Sequence, residues 1–232
     1  MTAASARLSF GSVLLPLFPL PNVVHFPGTR LPLHVFEPRY RRMILDLLAR
    51  PAEERRIGML LVARPLEGGE AEMLEPGCAG RLIRHVPLAD GRSDILLEGE
   101  FRFAVEEEIP GLAYRRAWVR RLDETIPLLE AERAESLHHE LSQLIVRLAR
   151  EAGDRAPLPA RELADFSDPS TLPALASRLA AGLDVPALRK QSLLAEPPLA
   201  RAEELAGILR ARLKLLGALA PFRHLAAAAE RN

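Results

Sequence analysis

Along the first half of the chain, apolar residues come in short runs broken by proline or glycine. Along the second half they recur every three or four positions. Val13–Phe18 and Leu31–Phe36 are proline-punctuated runs separated by Pro27-Gly28, which predicts edge or irregular strands joined by a loop. The unbroken run Ile57–Ala63 predicts a strand buried on both faces. Arg81–Val86 and Asp94–Leu97 flank Asp90-Gly91, a dipeptide suited to a tight hairpin. Phe101, Phe103 and Val105 alternate with Arg102 and Ala104, and Tyr114–Leu122 supplies a last strand. One helix interrupts them: Pro38 sits where a first-turn proline is tolerated, and Tyr40, Met43, Ile44, Leu47 and Leu48 follow at helical spacing.

From about Glu124 the spacing turns helical. Leu137, Leu141, Leu144, Ile145 and Leu148 form one stripe that ends near Gly153. Asp168-Pro169-Ser170-Thr171 predicts a capped entry to a helix carrying Leu175, Leu179 and Leu183. Another helix follows Pro197-Pro198 with Leu205, Ile208, Leu209, Leu213 and Leu216. Strands first and helices second define an α+β chain and argue against a βαβ nucleotide-binding sheet.

At 232 residues and 48% hydrophobic, the chain can bury a core without staples. Lys+Arg 31 against Asp+Glu 31 leaves no net field to gather a polyanion, so any basic surface must be local. Cys78 stands alone, which excludes an internal disulfide and fits a reducing compartment. Prolines 16, 19 and 21 interrupt the early apolar stretch, leaving neither a secretory core nor a membrane span. The expectation is a cytoplasmic protein with no membrane association.

The run Leu15-Pro16-Leu17-Phe18-Pro19-Leu20-Pro21-Asn22-Val23-Val24, continued by Phe26-Pro27-Gly28 and Leu31 to Tyr40, resembles the opening of Lon protease amino-terminal domains. Ile57–Val62, Gly77–Ile83, the Asp90-Gly91 hairpin, Leu97-Glu98-Gly99, and Arg189–Leu194 with Arg201 continue the resemblance in order, from roughly Val13 to Leu216. It implies a PUA-like, partly closed β-barrel of about six strands with one inserted helix, followed by a C-terminal α-helical bundle. The boundaries expected are 10–123 for the strands, 124–220 for the helices and 221–232 for a tail. In full Lon proteases this domain recognises unfolded or tagged substrates and helps assemble the complex. The resemblance therefore implies a free-standing, non-catalytic module for unfolded or partner polypeptide, and leaves open both a separate protease as partner and a homodimer. No cofactor is expected. A P-loop needs Lys-Ser or Lys-Thr after a glycine-rich turn, whereas Lys190 precedes Gln191 and Lys214 precedes Leu215. Neither lysine lies in a segment like the family's Ser-Lys peptidase.

Other candidate chemistry has weaker support. His138 and His139 point about 100° apart on a helix and cannot chelate one ion together. His25 and His34 read as packed, hydrogen-bonded residues. Cys78 and His85, seven apart on a strand, lie about 23 Å apart, too far for a nucleophile and base. Glu106–Glu108 reads as a solvated face. Tyr114, Arg116, Trp118 and Arg120 share one face of a strand, as a cation–π ladder or as part of a recognition surface. Phe18, Val23, Val24 and Phe26 are the expected exposed apolar surface, beside a groove that takes a peptide as an added strand. With Phe36, Tyr40, Arg116 and Trp118 they make up the expected partner-binding set. RNA binding is the rival reading, disfavoured by zero net charge and few aromatic residues. A hydrolase is the third, disfavoured because no nucleophile pairs with a base.

Overall fold

The computed structural model describes residues 11–65, 71–152 and 156–219. The chain divides into two compact units, one of residues up to Glu124 together with Leu183–Glu196, the other of Thr125–Gly182 together with residues from Pro197 onward. The tail expected at 221–232 lies outside the described residues.

The first unit is built on six strands: β1 (Val13–Leu20), β2 (Arg30–Val35), β3 (Arg56–Pro65), β4 (Ala71–Pro87), β5 (Ser93–Glu108) and β6 (Arg116–Arg121), in the order β2-β5-β4-β3-β1-β6. The sheet is mixed, because β1 runs parallel to β3 while the other pairs are antiparallel. β6 also pairs with the far half of β5, with Val105 opposite Val119, so the ladder curls back on itself. β4 and β5 are longer than the sequence suggested. The segments 94–97 and 101–105 form one strand, whose pairing with β4 shifts register between Ala79 and Gly80, opposite Phe101 and Gly99. Such an extra residue bends a strand without ending it.

Helix α1 (Pro38–Leu48) enters at Pro38 and buries Tyr40, Met43, Ile44 and Leu47, the predicted stripe. They pack with Phe18, Val35, Ile57, Met59, Leu82, Ile95, Leu97 and Tyr114. A second cluster, Leu15, Leu17, Leu60, Phe101, Phe103 and Val119, fills the rest. Ile57 to Leu61 is buried throughout, as continuous apolarity predicts, but Val62 is half-buried and Ala63 exposed, so the doubly buried stretch stops short of the predicted Ala63. Each such large side chain contributes about 1.5–3 kcal/mol.

A short helix at Ala187–Ala195, α4, belongs to this unit although it follows two other helices along the chain. The sequence pattern predicts one helical part after Glu124 and marks no helix at this position. Helix α4 (Ala187–Ala195) follows the N-cap residue Pro186. Two polar side chains hold it on the strands. Gln191 Nε2 donates to the Pro76 carbonyl at 2.9 Å. Arg102, on β5 and only 3% exposed, donates to the carbonyls of Leu194 at 2.7 Å and Glu196 at 3.0 Å, at the α4 C-terminus, and pairs with Glu124. A guanidinium at a helix C-terminus satisfies orphan carbonyls and complements the helix dipole.

The second unit contains α2 (Ala131–Ala152), α3 (Leu172–Gly182) and α5 (Pro198–Leu219). Asp168 accepts from the Ser170 amide at 2.8 Å, the predicted cap, ahead of α3. Arg133 pairs with Glu203 and, seven residues on in both helices, Glu140 with Arg210, so α2 and α5 run parallel. Among the described residues no helix is long and apolar enough to cross a membrane.

Candidate functional site

β1 has strand partners along its whole length, but different ones. Val13–Pro16 pair with β6 and Leu17–Leu20 with β3. Leu17 N donates to Arg115 O at 2.8 Å. Past that bond the two chains separate: Pro21-Asn22 turns away, with Asn22 at φ 60°, and the 109–115 loop swings out through Gly111 at φ 104°. Pro19 has no N–H to offer across the gap.

The gap is a groove of about 840 Å³, bounded by Pro19–Asn22, the start of α1, Val62-Ala63 of β3 and the 108–115 loop. Its apolar lining includes Leu20, Val62, Ile109, Pro110 and Leu112, the last 46% exposed. Tyr40 lies in the wall, its ring 4.0 Å from that of Phe18, with the Arg39 guanidinium 4.6 Å over its centre. Burial raises the Tyr40 phenol above its ordinary pKa, so it stays protonated. The charged lining is two acids and two arginines, paired with each other: Glu37 with Arg39 at 2.8 Å and Glu108 with Arg115 at 2.5 Å. Tyr114 closes one end, its hydroxyl donating to Asp46 at 2.9 Å.

The structure scatters the eight residues expected at the partner surface. Phe18 is 4% exposed, Phe26 is fully buried and Tyr40 is buried, so the opening segment is not the bare apolar patch expected of it. The prolines free the backbone from the ladder, but the aromatic side chains turn inward, where each removes more surface from water than any valine in the segment. Val23 and Val24 are half-buried. Phe36 is 59% exposed at the end of β2, its ring stacked on His34. Arg116 and Trp118 share the half-buried outward face of β6. Tyr114, expected on that face, precedes the strand and faces the α1 core. Among the described residues the guanidinium–ring contacts are Arg39 on Tyr40 and Arg121 on Phe101, with none at Trp118. The groove's Ile109-Pro110-Gly111-Leu112 wall was missed. Its signal was an apolar tetrad stranded between the charged ends of β5 and β6.

The remaining candidates take other roles. The Cys78 thiol is fully buried, 3.7 Å from the Ala79 carbonyl. His138 is buried and bonds the Phe166 carbonyl through Nε2 at 2.6 Å, while His139 Nε2 lies 2.8 Å from the Gln143 amide. Among the described residues no cluster of three metal-ligating side chains occurs. Glu107 and Glu108 are exposed, as the solvated-face reading expects, with Glu108 paired to Arg115, while Glu106 is half-buried and accepts from Ser12. His25 is buried against Gly99, where an added Cβ would lie 2.6 Å from its Nε2.

Comparison with known proteins adds three findings. The family described as the ATP-dependent protease La (LON) substrate-binding domain matches residues 14–210. A Lon protease of Anaeromyxobacter dehalogenans is 28% identical over 184 residues, which are 78% of this chain but 21% of that protein, so the chain spans about a fifth of such relatives' length. Among solved structures, a Lon N-terminal domain protein from Xanthomonas campestris superposes with a TM-score of 0.56 at 21% identity, covering 84% of this chain and 98% of that one. The N-terminal domain of Mycobacterium avium complex Lon protease does so with a TM-score of 0.61 at 20% identity, covering 85% and 98%.

Proposed function

This chain belongs to the Lon substrate-binding domain family, and from that premise we propose that its strand unit binds unfolded polypeptide in the groove between α1, the end of β1 and the 109–115 loop. The observation that carries the reading is the groove's composition: an apolar lining framed by two ion pairs that neutralise each other. Such a frame holds no charge for an anionic or cationic ligand. It shields the apolar centre from water, which is where binding energy concentrates. An unfolded chain supplies the apolar side chains that a folded one keeps inside.

The role is non-catalytic in this reading. Support comes from the burial of Cys78 and from the family match, which is to the substrate-binding part of a protease. A protease that receives the bound chain is the partner proposed, and crosslinking mass spectrometry in the native cell would identify it.

Leu112→Asp tests the groove, because Leu112 is exposed and its replacement leaves the core intact. Binding of a carboxymethylated, permanently unfolded protein, followed by anisotropy, should weaken about tenfold, equivalent to about 1.4 kcal/mol. Equal binding by a normally folded variant overturns the groove. Phe26→Asp would test folding instead, since that ring is wholly interior.

A further inference from the structure

Among the described residues β2 is bonded on one side only, to β5. Which of its groups face the free side follows from one bond. Gly99 N donates to Thr29 O at 2.9 Å, just before β2 begins. Backbone groups alternate direction along an antiparallel strand. Leu31, Leu33 and Val35 therefore turn theirs toward β5, and Arg30, Pro32 and His34 turn theirs to the open edge. Pro32 falls in the outward set, the position where a missing amide breaks no ladder bond. The edge thus offers three carbonyls and the amides of Arg30 and His34.

The outward side chains give this edge a character. Arg30 is exposed and in no ion pair among the described residues. His34 is exposed, hydrogen-bonded to Asp94 at 2.7 Å with Arg92 Nη1 3.4 Å from its other nitrogen. Phe36 follows, its ring 6.2 Å from that of His34. A cation at one end and an aromatic at the other stand about 20 Å apart at strand rise.

We propose that an extended polypeptide segment adds to β2 as an extra strand, with a carboxylate side chain beside Arg30 and a large apolar side chain against Phe36. The proposal rests on the polypeptide-binding reading above and names a second contact for the same ligand. A second copy of this chain is the poorer occupant. Two antiparallel β2 edges would each lack the donor at Pro32, and would set each Arg30 beside the other copy's His34 rather than beside a free carboxylate. A guest with its full set of amides can donate to the Pro32 carbonyl, and an acidic one meets Arg30 with opposite charge.

The test uses the whole chain and a fluorescein-labelled peptide of about nine alternating Thr and Val residues, carrying Asp near one end and Phe about six residues away. Two further peptides are N-methylated, each on one of the two alternate sets of amides. Strand addition requires that methylating one set lower affinity at least tenfold while methylating the other leaves it unchanged. Arg30→Glu should weaken the Asp peptide three- to tenfold and favour its Asp→Lys counterpart. If both methylated peptides bind like the parent, edge pairing is overturned, and the groove reading stands so long as the unfolded protein still binds. If neither the peptides nor the unfolded protein bind, both proposals fall.

Discussion

His25 is an interior imidazole whose ring nitrogens make no well-formed hydrogen bond among the described residues, the Thr29 backbone offering only a weak contact. Burial lowers its pKa from 6.5 to about 4, and the Thr29 backbone offsets this only in part. Because the fold favours the neutral ring, its stability contribution is complete above pH 6.5 and is lost as pH falls from 6.5 through about 4. The loss at full protonation is on the order of 3 kcal/mol. Urea titrations at stepped pH should show His25→Gln with a shallower acid limb in that window, by up to about 1.4 kcal/mol per pH unit. Asp90 and Asp168, held below 3.8 chiefly by the backbone amides of Arg92 and Ser170, contribute only beneath that window. Arg102 is the other decisive residue. Arg102→Met strands the α4 carbonyls and should destabilise the protein by about 3 kcal/mol in urea unfolding. The sequence disclosed neither role. A histidine shows its type but not whether a glycine 74 positions later, Gly99, will crowd it, and Arg102 looked like the polar half of a strand alternation.

Elements were more legible than residues. The α1 stripe, the Asp168 cap and the buried run of β3 were read correctly, because each is written within a few adjacent positions. Helix α4 was not. Its interior set is Gln191, Leu193 and Leu194, while Leu188 is exposed, so no apolar stripe marks it. What places it is a hydrogen bond to Pro76, 115 positions away. Gln191→Leu should therefore destabilise by about 1–3 kcal/mol, since a buried carbonyl loses its donor. Hydrogen exchange at α4 should report the loss first. The groove divides along the same line. Tyr40 was named because it lies in a helix with a clear period. Ile109 to Leu112 were missed because a loop's wall is defined only by the strands that lead away from it.

For the molecule as a whole, the order of strands and helices gave the fold class, and the family likeness gave its kind. Order along the chain did not reveal that the strand unit takes its last helix from Leu183–Glu196. A fragment ending at Glu124 keeps the Arg102–Glu124 pair but lacks α4, and with it the carbonyls that accept from Arg102 and the amide that donates to Pro76. It should melt about 10 °C or more below the full chain. Adding a peptide of residues 183–196 should recover part of that difference in calorimetry; a fragment as stable as the parent would show α4 to be dispensable. The detour has a consequence in the cell. A ribosome finishes β6 about 75 residues before it reaches Glu196, an interval of roughly 4 to 15 seconds at ordinary elongation rates. Through that interval the nascent strands wait without the segment that caps them, so translation speed across 122–196 sets how long a newborn copy is itself an unfinished client for chaperones.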